Sequence, residues 1–109
     1  MARKVKWTEI AWGDLVEVSD YIAKDSPYYA AGFVREVRDA ARSLSYMAER
    51  GRVVPEFGDP TIRELFIKRY RLIYQVRERN VYIIGLVHGA RDLLAFWERE
   101  RRPNPEHGE

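Results

Sequence analysis

Apolar and polar residues alternate strictly near the start of the chain. Val5 and Trp7 fall on one side of an extended segment, and Lys4 and Lys6 fall on the other. An alternation of this kind is typical of a strand with one face in the core and one face in water. It predicts a first strand over residues 4–8.

The spacing then changes to that of two amphipathic helices joined as a hairpin, and each helix has a start signal. Thr8 can cap the first helix with its side-chain oxygen. Ser26 can cap the second helix. Pro27 suits the first turn of that helix because the N–H that proline lacks would have no hydrogen-bond partner there. Gly51 is expected to end the second helix, since glycine adopts the left-handed closing conformation easily. The apolar stripes are Ala11, Leu15, Val18 and Ile22 in the first helix, and Ala30, Phe33, Val37, Ala40, Ala41, Leu44 and Met47 in the second.

Strand patterns fill the second half of the chain. A loop over residues 52–60 leads into three segments rich in β-branched and aromatic residues, at 61–68, 70–77 and 81–88. The short connections between these segments predict an antiparallel meander. The last segment is apolar on both sides and is therefore expected inside the sheet. A short final helix is predicted over 93–97.

The order of these elements, β-α-α-β-β-β-α, predicts an α+β fold. In this fold the N-terminal helical hairpin packs on a mainly antiparallel sheet, and a short C-terminal helix follows. A chain of 109 residues fits one domain, which we assign to residues 1–97. Residues 98–109 contain two prolines and are expected to form a frayed tail.

Composition narrows the function classes. Hydrophobic residues make up 46% of the chain and charged residues 33%, which is typical of a folded globular domain rather than a disordered one. Cysteine is absent and there are only two histidines, so we expect no disulfide, no metal site and no cofactor. No apolar run is long enough to span a membrane, and the protein is expected in the cytoplasm with no membrane partner.

Charge is divided unevenly along the chain, although the formal net charge is only +2. Residues 8–50 carry eight acidic residues against five basic ones, whereas residues 60–91 carry seven basic residues against Glu64 and Glu78. A local basic surface attracts phosphates or an acidic protein through the same field. Charge alone therefore leaves RNA, DNA and protein open as partners.

A hairpin turn at residues 78 and 79 predicts which side chains of the last two strands lie opposite each other. Antiparallel register then sets Arg71 opposite Leu86. The same register sets Arg69 opposite His88. Because same-face neighbours on a sheet converge, we expect Arg69, Arg71 and His88 to form a cationic cluster on the face away from the helices.

Such a cluster has the groups needed to cleave RNA through attack of a ribose 2′-hydroxyl. Arginines would stabilise the charge that develops on the phosphate, and His88 would act as general acid or base. Arg63 and Arg91 would extend the cluster at its edges. The second proton-transfer group is left open between Glu64, Tyr70 and Tyr74.

Each of these residues also has a structural interpretation. Arg71 would pair with a carboxylate such as Glu64, but an arginine in an apolar strand needs a reason to be there, and we favour a functional role for it. For Tyr70 and Tyr74 we favour packing in the core or across strands. His88 would either act in the site or line the turn that follows its strand.

Several stretches of the chain resemble the RelE/ParE superfamily of toxins. They are Arg-Glu-Leu-Phe-Ile at 63–67, Tyr-Arg-Leu-Ile-Tyr at 70–74 and Val-His-Gly-Ala-Arg-Asp-Leu at 87–93, with the Asp-Leu pair at 14–15 and Glu-Arg-Gly-Arg at 49–52. The resemblance covers nearly the whole chain in the order of elements of that family. It implies a toxin of a type II toxin–antitoxin system, neutralised by an antitoxin whose C-terminal segment wraps over it in a hetero-oligomer.

The superfamily contains gyrase poisons of the ParE kind and ribosome-dependent messenger-RNA endonucleases of the RelE kind. Arg71 and Arg91 match positions that RelE-like nucleases use. The segment 52–60, where such nucleases carry lysines, has none, and their C-terminal tyrosine is replaced near 96–97. His88 resembles the histidine at the strand end of ParE-like members, and some RelE relatives also carry a histidine there.

The sequence therefore predicts a ParE-like growth inhibitor that acts on DNA gyrase without being an enzyme. The alternative is a RelE-like endonuclease acting on messenger RNA at the ribosome, and a second alternative is an inactive binding module. The expected partners are the cognate antitoxin and either gyrase or the ribosome with its messenger RNA. In the nuclease alternative the catalytic residues are Arg71, His88 and Arg91. The residues expected to bind the target are Arg63, Arg69, Arg71 and Arg91.

Overall fold

The computed structural model describes residues 2–100 and 102–103. In chain order the elements are β1 (Lys4–Trp7), α1 (Glu9–Ala23), α2 (Pro27–Ser43), β2 (Arg52–Val53), β3 (Ile62–Ile67), β4 (Tyr70–Val76), β5 (Asn80–His88) and α3 (Leu93–Arg99). The strands form one sheet in the order β1-β5-β4-β3-β2. All neighbouring strands are antiparallel except β1 and β5, which are parallel. The α+β fold, the meander and the interior position of the last strand are confirmed.

The two helices begin at the predicted caps. The side chain of Thr8 accepts a hydrogen bond from the Ala11 N–H, and that of Ser26 accepts one from the Tyr29 N–H. Each bond satisfies a backbone donor that the first helical turn leaves without a partner. No helix among the described residues has both the length and the apolar character needed to cross a membrane.

The end of α2 differs from the prediction. The helix ends at Ser43 and not near Gly51, and Met47 is 55% exposed instead of joining the apolar stripe. Gly51 has another role, because a Cβ there would lie 2.5 Å from the backbone oxygen of Glu64 and 2.6 Å from the hydroxyl of Tyr74. The glycine therefore allows the chain to pass closely over β3 and β4 as it enters β2.

The sheet is covered by a different layer on each side. We call the side under α1 and α2 the hairpin face and the side under α3 the α3 face. Leu72 and Ile73 are neighbours on β4, both fully buried, and they belong to opposite faces. The hairpin face of the sheet carries Ile67, Leu72, Tyr74, Val81, Ile83 and Leu86. The α3 face carries Ile62, Ile73, Ile84 and Val87 under Leu93, Phe96 and Trp97.

An extra residue in β5 changes the register between β4 and β5. Tyr74 lies opposite Ile83, as the hairpin turn predicts, but Ile73 lies opposite Gly85. Ile84 is thus left without an opposite residue, which is the signature of a β-bulge. Glycine inside a strand often marks such a bulge, and Gly85 marks this one.

The bulge makes the predicted pairing wrong for the rest of the hairpin. Arg71 lies opposite Val87 and not Leu86, and Tyr70 lies opposite His88. Because side chains alternate between faces, a shift of one residue moves a whole strand segment to the other face. His88 therefore lies on the hairpin face, while Arg71 lies on the α3 face.

The chain remains packed beyond the predicted domain boundary. Helix α3 continues to Arg99, and Arg102 is 8% exposed and forms an ion pair of 2.6 Å with Asp14. The indole N–H of Trp97 donates to the carbonyl of Pro103 at 3.0 Å. The expectation of a frayed tail is wrong for the part of 98–103 that the structure describes. Residues 101 and 104–109 of that predicted tail lie outside the described residues.

Candidate functional site

Arg71 is held by two carboxylates on the α3 face. Its Nε donates to Glu64 on β3, and its two Nη atoms donate to both carboxylate oxygens of Glu56 at 2.7 and 2.9 Å. The other oxygen of Glu64 accepts from Arg52 Nε at 2.7 Å. We call these four residues the ion-pair quartet. Arg71 is thus paired with Glu64, as the structural interpretation of this arginine predicted.

Two members of the ion-pair quartet are buried, while Arg52 and Glu56 reach the surface. The side chain of Arg71 is 5% exposed and that of Glu64 is fully buried. The hydrogen bond from Arg71 lowers the pKa of Glu56, and the bond with Glu56 raises the pKa of Arg71 above its ordinary value. Arg71 and Glu56 therefore both stay charged near neutral pH and offset one another. A phosphate could reach Arg71 only by displacing a carboxylate that already uses the same bidentate geometry.

His88 lies on the other side of the sheet, at the end of β5. Its exposed ring meets Tyr70 edge to face, with ring centroids 5.2 Å apart, and its Nδ1 accepts from the Ala90 N–H at 3.1 Å. The predicted cluster of Arg69, Arg71 and His88 on the face away from the helices is therefore wrong. The physical reason is the β-bulge, which reverses the faces of the last residues of β5 relative to β4.

The remaining predicted arginines contact separate groups. Arg63 donates from Nη1 to the carbonyl of Gly51 at 2.8 Å. The guanidinium of Arg91 lies over the ring of Phe96, 4.6 Å from its centroid. Arg69 is exposed in the turn between β3 and β4, where its carbonyl accepts a hydrogen bond from the Gly89 N–H at 2.7 Å. None of these three contacts involves Glu56 or Glu64, the two carboxylates that hold Arg71.

The candidate proton-transfer residues are engaged in packing or ion pairs. Tyr74 is fully buried, and its hydroxyl donates to the Ala48 carbonyl at 2.8 Å and accepts from the Gly51 N–H at 2.9 Å. Tyr70 packs edge to face on Phe33 with centroids 5.3 Å apart. Burial raises the pKa of both tyrosines. With Glu64 bound between two arginines, the structure favours structural roles for all three.

Sequence reasoning missed a groove between the helical hairpin and the β3–β4 turn. We call it the tyrosine groove; its volume is about 610 Å³. Tyr28 is 81% exposed and Tyr29 70%, so aromatic side chains stand open to solvent at its rim. Exposed aromatic residues off the apolar stripe of α2 are the signal that could have indicated it. The lining includes Tyr21, Ile22, Tyr28, Tyr29, Phe33, Arg35, Glu36, Lys68, Arg69, Tyr70 and His88.

Comparison with known proteins places the chain in a family. Residues 5–93 match the family model of the ParE toxin of type II toxin–antitoxin system, parDE. The chain belongs to the ParE toxin family. It is a toxin of a type II toxin–antitoxin system, and the resemblance to the RelE/ParE superfamily is confirmed.

Two known proteins are similar to this chain. Toxin RelE2 from Caulobacter vibrioides is 36% identical over 89 residues, which is 81% of this chain and 97% of that protein. A solved structure of the chromosomal ParDE TA system from P. aeruginosa has a TM-score of 0.66 at 22% identity, covering 80% of this chain and 96% of that one. The second similarity confirms the fold of the ParE-family toxin.

Proposed function

We propose that this ParE-family toxin arrests growth by inhibiting DNA gyrase and that it does not cleave RNA. The observation that carries the proposal is the state of Arg71. RNA cleavage needs a cation that faces the phosphate and a proton-transfer group beside it. Here Arg71 is neutralised by Glu56 and Glu64, and His88 lies on the opposite face of the sheet.

The RelE-like alternative has its own support. Arg71 and Arg91 stand where the superfamily resemblance implies phosphate contacts, and one relative carries the name Toxin RelE2. For this alternative, Glu56 would have to release Arg71 on the ribosome. His88 would also have to act with groups on its own side of the sheet. The gyrase proposal requires neither rearrangement and therefore stands first.

We assign the tyrosine groove to the antitoxin. Tyr28 and Tyr29 provide exposed aromatic surface, and the exposed Arg35 and Arg69 add positive charge beside it. Lys68 is paired with Glu36 of the same lining at 3.6 Å. An acidic, amphipathic segment would place its apolar side chains inside and its carboxylates against the two arginines. In this proposal the segment is the C-terminal part of the antitoxin, which the family resemblance implies wraps over the toxin in a hetero-oligomer.

The test is expression of the full chain with two readouts from the same cells. We expect blocked supercoiling of plasmid DNA and induction of the SOS response, with messenger RNA intact. The His88→Ala variant should arrest growth like the wild type, because its histidine transfers no proton in this mechanism. Purified toxin should also inhibit the supercoiling reaction of purified gyrase.

Three outcomes would contradict the proposal. Transcripts cut on ribosomes while gyrase remains active would identify the nuclease alternative. Loss of growth arrest in His88→Ala together with loss of cutting would point the same way. Harmless overexpression of the wild-type chain would identify the inactive binding module.

A further inference from the structure

Strand β1 covers only the first part of β5. Their parallel pairing runs from Lys4 opposite Asn80 to Trp7 opposite Ile83, and there the chain turns into α1. In the described sheet, residues 84–88 therefore have no strand neighbour on that side. An open strand edge exposes backbone N–H and C=O groups and is a template for pairing with another chain.

Two charged side chains occupy this open edge. Asp14, from α1, accepts the Leu86 N–H on its Oδ2 at 3.0 Å. Arg102, from the segment after α3, donates from Nη1 to the Ile84 carbonyl at 3.1 Å. Both backbone groups belong to the part of β5 that β1 leaves uncovered. The edge is thus capped by side chains where a strand is missing.

Asp14 and Arg102 also bind each other. Arg102 Nη2 and Asp14 Oδ1 are 2.6 Å apart, and the two side chains are 2% and 12% exposed. The guanidinium of Arg102 lies over the rings of Phe96 and Trp97, with centroid distances of 4.7 and 4.9 Å. One ion pair therefore connects α1, β5 and α3. We call it the edge clip.

Gly85, in the bulge of β5, leaves space for the edge clip. A Cβ on Gly85 would lie 3.1 Å from Arg102 Nη1 and 3.1 Å from Cζ3 of Trp97. A larger residue at the bulge would press on both side chains, so the glycine leaves the space that Arg102 occupies. A buried ion pair is a poor source of stability because the desolvation of both charges offsets their attraction. Its position on an otherwise open edge suggests a different use.

We propose that the edge clip keeps the open half of β5 from pairing with a second copy of this chain, and that it does so while fastening α3 to α1. Asp14 serves both roles, the protection of the edge and the fastening of α3. Its Oδ2 accepts the Leu86 N–H, and its Oδ1 binds Arg102. The two roles can be separated by mutation. This inference concerns the assembly state of the toxin and does not depend on its target.

The experiment uses the full chain and four variants. Asp14→Ala removes both contacts of the aspartate. Asp14→Asn keeps an oxygen acceptor for the Leu86 N–H but removes the charge that holds Arg102. Arg102→Ala frees the Ile84 carbonyl, and Arg99→Ala is the matched control because this arginine is exposed in the last turn of α3. Amide hydrogen exchange and light scattering over a range of protein concentrations are measured for each.

The expected results differ between the variants. In Asp14→Ala the Leu86 amide exchanges about tenfold faster or more, and the protein associates as its concentration rises. In Asp14→Asn and Arg102→Ala the amides of α3 exchange faster while the Leu86 amide stays protected. Arg102→Ala also associates, though less strongly than Asp14→Ala. Arg99→Ala behaves like the wild type in both measurements.

Two results would overturn the proposal. The first is an equal acceleration of exchange at all amides in Asp14→Ala, Asp14→Asn and Arg102→Ala. Such a result would show that the ion pair only stabilises the whole fold. The second is Asp14→Ala protein that stays monomeric although its Leu86 amide is unprotected. If Asp14→Ala does not fold, Arg102→Ala decides the question by the same criterion of association.

Discussion

The hairpin face and the α3 face belong to the same sheet but are held by different interactions. Under α1 and α2 the sheet contributes an apolar cluster in which Leu72 and Ile83 are fully buried. On the α3 face a smaller apolar cluster lies beside the ion-pair quartet, in which the side chain of Arg71 is only 5% exposed. Apolar burial does not depend on protonation, whereas paired charges do. The two faces should therefore respond differently to mutation and to acid.

The largest effect is expected from breaking the ion-pair quartet at Arg71. The variant Arg71→Met leaves Glu64 buried with only Arg52 as a partner, and it should lower the free energy of unfolding by about 3–5 kcal/mol. Urea denaturation followed by circular dichroism measures the change. Arg69→Met is the matched control, because Arg69 is exposed, and it should change stability by less than about 0.5 kcal/mol.

A double variant shows whether the cost at Arg71 comes from the charge left behind. Arg71→Met combined with Glu64→Leu removes the buried charge of both signs, and its stability should return most of the way to that of the wild type. If the double variant is as unstable as the two single changes added together, charge pairing is not what holds this face, and the contrast between the faces fails.

A smaller effect is expected at the polar group of the hairpin face. Tyr74→Phe keeps the ring but leaves the Gly51 N–H and the Ala48 carbonyl without the hydroxyl, which should cost about 1–3 kcal/mol. Tyr28→Phe removes a hydroxyl from an exposed ring and serves as the control, with no measurable change expected. Equal unfolding midpoints in urea for Tyr74→Phe and the wild type would contradict the prediction.

The smallest effect is expected from acid on Glu56. The pKa of this carboxyl is lowered in the folded protein, first by the hydrogen bond from Arg71. A lowered pKa contributes stability that is present above the ordinary pKa of 4.5 and is lost as the pH falls through the folded value. Because Glu56 is 32% exposed, the contribution at neutral pH should be only about 1 kcal/mol.

Glu56→Gln provides the measurement for this acid effect. The variant should be less stable than the wild type at neutral pH, and the difference in unfolding free energy should shrink as the pH falls below 4.5. A difference that stays constant down to acid pH would show that the Glu56 charge contributes nothing to the α3 face.

Local signals in the sequence were sufficient for the elements but not for the faces of the sheet. Thr8, Ser26 and Pro27 gave the helix starts because capping depends on neighbours within one turn. The face of the sheet on which His88 lies depended on one extra residue in β5. That residue reverses the face of every later residue of the strand relative to the predicted register. Gly85 was the available sign, since a glycine inside an apolar strand often accompanies a bulge.

Long-range charge pairs were the other gap. Arg102 was assigned to a frayed tail because local composition contains nothing that shows Asp14 as its partner 88 positions away. The pairing of Arg71 with Glu64 could be offered as an alternative, since both residues lie in adjacent predicted strands. Glu56, in an irregular loop, could not be placed by any periodicity. Of the ion-pair quartet, the sequence therefore indicated Arg71 and Glu64 but not the contacts that Arg52 and Glu56 make with them.

The place of Glu56 on a loop has an evolutionary consequence. The strands that carry Arg71 and Glu64 are constrained by packing on both faces, whereas the loop between β2 and β3, over 54–61, tolerates substitution more readily. A lineage could therefore free the two Nη atoms of Arg71 by exchanging this one loop residue, while Glu64 on β3 would still hold Nε and the strands would stay as they are.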